Sequence, residues 1–231
     1  MRSLEFQIVT GEKFMNLRAL PIVGAVLVTG CVSTGPRELE IKPDTALSTA
    51  VAPRVVLDFS AGDIRVVPSE DNQLRASVRF FCNAGSDTCR DNAARSRILH
   101  TREEGVSTVS FKPGSAYSTR HADIFYRVEV PAVESLEVTM DAGALTIDSP
   151  TGCVSARGTA GDIKIRVPEA LVGSVTLDAN LGDSNLSTTA GRAEDRRTLL
   201  VGSEVEWTDG PGECRVNAKL TAGAIDVILQ E

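Results

Sequence analysis

The sequence predicts an all-β domain, a repetitive solenoid or roll, on three observations. One pattern centred on glycine recurs five times, at Gly62, Gly143, Gly161, Gly182 and Gly223. Apolar or small residues stand seven, five and three positions before each glycine, and two and four positions after it, with polar residues between; Ser184 is the one exception. The middle three glycines lie 18 and 21 residues apart, a short period of the kind found in stacked β-coils, where one repeat cannot bury its face alone.

Each copy reads as two strands that meet at the glycine. Val55, Leu57 and Phe59 before Gly62, then Ile64 and Val66 after it, set the template. Leu136, Val138 and Met140 repeat it before Gly143, Val154, Ala156 and Gly158 before Gly161, Val175, Leu177 and Ala179 before Gly182, and Val216, Ala218 and Leu220 before Gly223. Strict alternation of this kind marks a strand with one buried face. Glycine suits the break because a positive φ is open to it. Asp63, Asp162 and Asp183 follow directly, and a carboxylate there can bond backbone N–H groups and fix the turn.

Three more alternating runs fill the interval between Gly62 and Gly143: Leu74 to Phe80, Val106 to Phe111 and Ile124 to Val130. Asp91 to His100 is the one candidate helix, with a polar loop as the alternative. Gly202 sits where a further corner is due, but Arg197 and Glu204 occupy positions the pattern reserves for apolar residues. Ala190 to Gly212 therefore reads as an inserted loop or hairpin, with a strand around Val205 and Trp207. The chain stops soon after the last copy, at Leu229-Gln230-Glu231, which leaves the last coil without a cap and its edge open to pairing.

Ahead of this domain, residues 54–231, lies a segment of a different kind. Lys13 and Arg18 precede a short apolar run, Ala19 to Val28, too short for a bilayer core that needs about 20 residues. Leu27-Val28-Thr29-Gly30-Cys31 closes it. This ending resembles the lipobox of bacterial lipoproteins. The resemblance implies a signal peptide over residues 1–30, cleavage before Cys31, and acylation of the Cys31 sulfur and its new amino group. Met15 offers an alternative start, since it drops Glu5 and Glu12 from the basic region. Val32 after the acylated cysteine favours, by the same resemblance, the outer membrane. Residues 31–53 read as the lipid anchor and a flexible Ser-, Thr- and Pro-rich tether, with an edge strand docked on the domain as the alternative.

The full chain carries a formal charge of −7, and loss of residues 1–30 removes three basic and two acidic side chains. An acidic remainder lacks the basic footprint that nucleic acid requires. Four cysteines follow Cys31, an even number that reads as disulfides in an exported protein. Cys82 and Cys89 flank a short polar loop and form the expected pair. Cys153 and Cys214 pair by elimination, although the repeat sets them in separate copies.

The repeated Ala-Gly-Asp-Ile at 61–64 and 160–163, Tyr126-Arg127-Val128-Glu129-Val130-Pro131 leading into Leu136-Glu137-Val138-Thr139, and Thr221 to Val227 together resemble the bacterial putative adhesin family, from about Val55 to Leu229. That resemblance implies a solenoid-like all-β fold and, beyond its label, no function.

No nucleophile elbow, zinc-protease helix or phosphate-binding loop occurs in the sequence. His100 and His121 lie in polar segments and read as surface residues. The aspartates after the glycines lack the surrounding pattern of calcium-binding rolls, so neither a metal nor a cofactor is expected. Outward Arg157, Lys164 and Arg166, near Asp178 in the next coil, can pair among themselves or meet an acidic glycan. Trp207, Tyr117 and Tyr126 are too few for an evident sugar-stacking platform. The expected function is a non-enzymatic envelope scaffold, held by its lipid anchor, for adhesion or for binding a protein or glycan. A β-helix carbohydrate-active enzyme and a purely structural envelope protein are the alternatives. The sequence leaves the ligand, the membrane face and the oligomeric state open.

Overall fold

Glycine corners, spaced along otherwise continuous strands, organise the architecture. The computed structural model describes residues 37–41, 53–83, 86–114, 122–148, 153–192, 196–198 and 201–231, all within one unit that begins at Thr34. The elements are β1 (Arg37–Ile41), β2 (Arg54–Ala61), β3 (Asp63–Pro68), β4 (Arg75–Cys82), α1 (Asp87–Arg95), β5 (Arg97–Glu103), β6 (Val106–Lys112), β7 (Ala122–Val130), β8 (Ser135–Asp148), β9 (Cys153–Pro168), a 3-10 turn (Glu169–Leu171), β10 (Val172–Thr188), β11 (Gly191–Arg192), β12 (Arg196–Thr198), β13 (Gly202–Trp207) and β14 (Cys214–Gln230).

The domain is all-β, as the alternation predicts, with one short helix among the described residues. Its strands form one mixed sheet in the order β1-β4-β7-β3-β8-β9-β14-β10-β13-β12, while β2 bridges β8 and β6, and β5 pairs with β6. The sheet is not a closed solenoid. β8, β9, β14 and β10 run parallel at its centre. Each keeps its strand pairing through the glycine, so the corner is a change of phase within a strand and not a loop. In β8, Leu136, Val138 and Met140 are buried before Gly143, and Leu145 and Ile147 after it. The glycine, at φ +130°, shifts the alternation by one residue, so both arms turn their apolar side to one shared core.

The glycines align across strands. Gly143 is level with Gly161, Gly161 with Gly223, and Gly223 with Gly182. A Cβ on Gly161 would strike the carbonyl oxygen of Gly143, and one on Gly223 that of Gly161. Backbone approaches backbone so closely here that no side chain fits, and the positive φ disfavours one in any case.

The core changes along the sheet. At one end Phe59, Phe80, Phe111 and Tyr126 fill it, with Phe59 and Tyr126 ring centroids 4.6 Å apart and Phe111 and Tyr126 5.3 Å apart. Toward β10 it is filled by Val, Leu and Ala, with Ala156, Ala179 and Ala218 buried.

Four features depart from the sequence reading. β14 does not add to the end of the stack but lies between β9 and β10. In that lane Leu220 packs over Gly158, its side chain filling the space that a Cβ on Gly158 would need. The uncapped last coil expected at the C-terminus is therefore an interior strand. Beyond β14 the outermost long strand is β10, and the insertion pairs along its far side. β13 pairs antiparallel with Val175 to Ala179, and β11 with Ser187 and Thr188. Ser184, the exception in the repeat, is buried and donates to the Ser203 carbonyl of that insertion at 3.1 Å. Finally, β1 falls inside the segment read as a tether, pairs with β4 from Arg37↔Cys82 to Ile41↔Val78, and realises the edge-strand alternative.

Helix α1 overlaps the expected helix but starts earlier and ends at Arg95; β5 takes up the rest. Ser86 caps it, accepting from the Cys89 amide at 3.4 Å. Cys89, Asn92 and Ala93 face the core.

Candidate functional site

Parallel strands usually have both faces covered. Here the outer face of β8, β9, β14 and β10 is open and polar, because alternate side chains of every strand point away from the core. Exact register turns these side chains into rows. One row runs Glu137, Ser155, Asn217, Thr176 and on to Glu206; the next runs Thr139, Arg157, Lys219, Asp178 and on to Glu204. Neighbouring strands stand about 4.8 Å apart, so each row is a ladder at that spacing.

The two rows enclose a shallow groove of about 230 Å³ lined by Ser155, Arg157, Thr176, Asp178, Asn217 and Lys219, with Ala156 and Ala218 at its floor. Lys219 Nζ lies 2.8 Å from Asp178 Oδ2, and Arg157 Nη1 lies 3.8 Å from Glu137 Oε1. All four side chains are well exposed, so these pairs hold geometry more than they stabilise the fold. Ser155, Thr176 and Asn217 supply hydroxyl and amide groups that both donate and accept. The arrangement can bind a polar, extended ligand; it shows no paired acid and base aimed at one point.

The predicted cluster of Arg157, Lys164 and Arg166 with Asp178 is not assembled. β14 intervenes, and Asp178 meets Lys219 instead. Arg166 is on the other arm, 2.6 Å from Asp148, which Arg65 also approaches at 3.5 Å. Lys164 is level with Asp226 of β14. Lys219 and Asn217 were missed as site residues because alternation tells which side a residue faces but not which strand lies beside it.

The remaining predicted residues fall as follows. Gly62, Gly143, Gly161, Gly182 and Gly223 form the corners. Asp63, Asp162 and Asp183 are exposed on the outer side just past them. Among the described residues no hydrogen bond is seen from the Asp63 or Asp162 side chain to the corner, and both carboxylates are exposed. Among the described residues no three His, Cys, Asp or Glu side chains converge as a metal site would require. Cys82 and Cys89 form a disulfide with Cα atoms 5.7 Å apart. Cys153 and Cys214 are thiols whose sulfurs stand 2.7 Å apart at the start of β9 and β14. Burial, with the Cys153 thiol beside it, pushes Cys214 up to about 12. Trp207 packs against the core and close to Gly210. Cys31, Tyr117 and His121 lie outside the described residues.

The other shifted groups are structural. Burial raises the Tyr126 phenol well above its ordinary value, and its hydroxyl donates to the Ala61 carbonyl at 3.0 Å. Burial, and then the charge of Arg102, lowers His100, whose buried Nε2 has no hydrogen-bond partner. Hydrogen bonding from Arg75 lowers Asp71, and Arg75 also reaches Glu129 at 3.3 Å.

No family model matches the chain, and no curated protein matches it. Several solved structures align over most of it, among them the following three. A putative cell adhesion protein from Clostridium sporogenes is 11% identical over 84% of this chain and 100% of its own, with a TM-score of 0.47. A putative lipid binding protein from Parabacteroides distasonis is 13% identical over 85% of this chain and 74% of its own, with a TM-score of 0.34. A putative adhesin from Bacteroides fragilis is 12% identical over 84% of this chain and 98% of its own, with a TM-score of 0.24. At these scores the likenesses transfer neither architecture nor activity, and the function rests on the chain's own residues.

Proposed function

We propose that this chain is a cell-envelope lipoprotein, anchored through Cys31, that works as a binding scaffold without catalysis. The observation that carries the binding role is the open outer face of β8, β9, β14 and β10, where Ser155, Asn217 and Thr176 stand in one row and Arg157, Lys219 and Asp178 in the next. Such a face offers hydrogen-bond groups at fixed intervals on a backbone that is rigid because it belongs to the centre of the sheet. An extended glycan or a protein strand with repeating polar groups matches it, with charge from Arg157 and Lys219 selecting acidic partners. The short apolar run ending at Cys31 supports export and acylation. Among the described residues no helix is long and apolar enough to cross a membrane.

Two measurements test the two halves of the reading. Cells fed a labelled fatty acid should label the wild-type chain and not Cys31→Ala; label retained in the variant would refute the anchor. Binding of the purified chain to an array of acidic and neutral glycans should show acidic ligands whose retention falls at least tenfold in the double variant Arg157→Glu, Lys219→Glu. Retention unchanged by that double variant would place any binding elsewhere.

A further inference from the structure

We infer that the end of the molecule formed by the start of β1, helix α1 and the start of β5 is apposed to the phospholipid surface that holds Cys31; this rests on the lipoprotein reading above. The sheet register brings these pieces together. Arg37 opens β1 opposite Cys82, the last residue of β4. The Cys82–Cys89 disulfide ties that point to α1, and Ser96 leads directly from α1 into β5, where Arg97 pairs with Lys112.

The chain between the anchor and this end is short. Six Cα steps separate Cys31 from Arg37, a reach of about 20 Å when fully extended. The far part of the sheet at β10, where Leu181 is 52% and the adjoining Val201 54% exposed, lies seven strand steps from β1 along the sheet, roughly 30 Å away. An anchor at one end with so short a lead holds that end nearest the lipid.

The charge of the end fits the same partner. In a chain of net −7, it carries Arg90, Arg95, Arg97 and Lys112 against Asp87, Asp91 and Asp123, so this end is slightly basic where the whole is acidic. Arg90 pairs with Asp87, Arg95 donates to the Asp91 carbonyl at 3.2 Å, and Arg97 donates to those of Ala94 and Ser96 at 2.9 and 2.8 Å. Leu99, 45% exposed, lies two residues past Arg97 on the same exposed side of β5. Basic side chains with an exposed leucine on the adjoining strand suit the anionic, partly apolar headgroup layer of a bilayer.

The test uses the full acylated chain in vesicles of phosphatidylethanolamine and phosphatidylglycerol, with the photoreactive p-benzoylphenylalanine replacing Leu99 or, separately, Leu181. Irradiation should give at least tenfold more phospholipid adduct, by mass, from position 99 than from position 181. Equal adducts, or none at position 99 while Cys31 carries its acyl chains, would overturn the apposition. A twenty-residue Gly-Ser insertion after Val32 should cut the position-99 adduct several-fold with acylation intact, and an undiminished adduct would overturn the short-tether cause. Absence of acyl mass on Cys31 would overturn the anchor itself and, with it, this proposal.

Discussion

At the level of single residues, the corner glycines carry the fold's tightest constraint. Gly161 combines φ +121° with a neighbouring strand whose carbonyl oxygen occupies the place of its missing Cβ. Gly161→Ala should therefore cost roughly 3 kcal/mol or more, from left-handed strain plus forced separation of two strands. Guanidinium unfolding of the variant should show a clearly lower midpoint, whereas Asp162→Ala, next door but exposed, should change it little. His100 gives a pH signature. Its folded value lies below its ordinary one, so the unfolded chain takes up a proton first as the pH falls. The stability it contributes is present above its unfolded value of about 6.5 and is lost as the pH drops through the lower folded value. The urea midpoint should fall between pH 7 and pH 5, and His100→Gln should flatten part of that fall. Both residues illustrate what a sequence can disclose. The glycine column was legible because its spacing and flanking alternation repeat. The enclosure of the His100 Nε2 was not, because one histidine in a polar stretch carries no period.

At the level of elements, the strands could be read but their neighbours could not. β4, β6 and β7 and both arms of the five copies coincide with the alternating runs, since alternation follows directly from having one buried face. The corner pattern of β14 matches those of β9 and β10 alike, so it carries no signal for the lane the strand takes, and the packing of Leu220 over Gly158 emerges only in the fold. The same placement brings Cys153 and Cys214 to the start of adjacent strands. Thiol exchange with a disulfide-bearing oxidant should join them, both sulfurs losing their protons and the oxidant taking two electrons. Peptide mapping without reductant should recover the 153–214 link from chain isolated under oxidising conditions. Closing a loop of that length is worth about 4 kcal/mol on the chain-entropy model, so Cys153→Ser should unfold earlier than the oxidised wild type and match it in reductant. Equal midpoints in both conditions would exclude the link. β5 escaped the sequence reading and β1 was legible only as the alternative to a tether, because each pairs through one edge only, and edge strands need no strong alternation.

Across the whole molecule, polarity is divided by face. The apolar half of every central strand is spent on one core, and the polar half forms an outer surface whose rows are set by backbone register. Such a surface tolerates substitution without loss of fold, so its residues are free to be shaped by a partner. If the domain is displayed outside the cell, protease added to intact cells should digest it; protection until the outer envelope is opened would move the binding face to the periplasm and remove adhesion to other cells from its possible roles.

The position of β14 also has a consequence for how the protein is made. β9 and β10 follow one another in the chain, but the lane between them stays empty until the last strand is delivered. Until β14 is in place, the facing edges of those two strands have no partner, and their N–H and C=O groups go unpaired. The centre of the sheet therefore cannot assemble in chain order: strands delivered early wait on one delivered late, and the native core forms only once β14, Cys214–Gln230, is available.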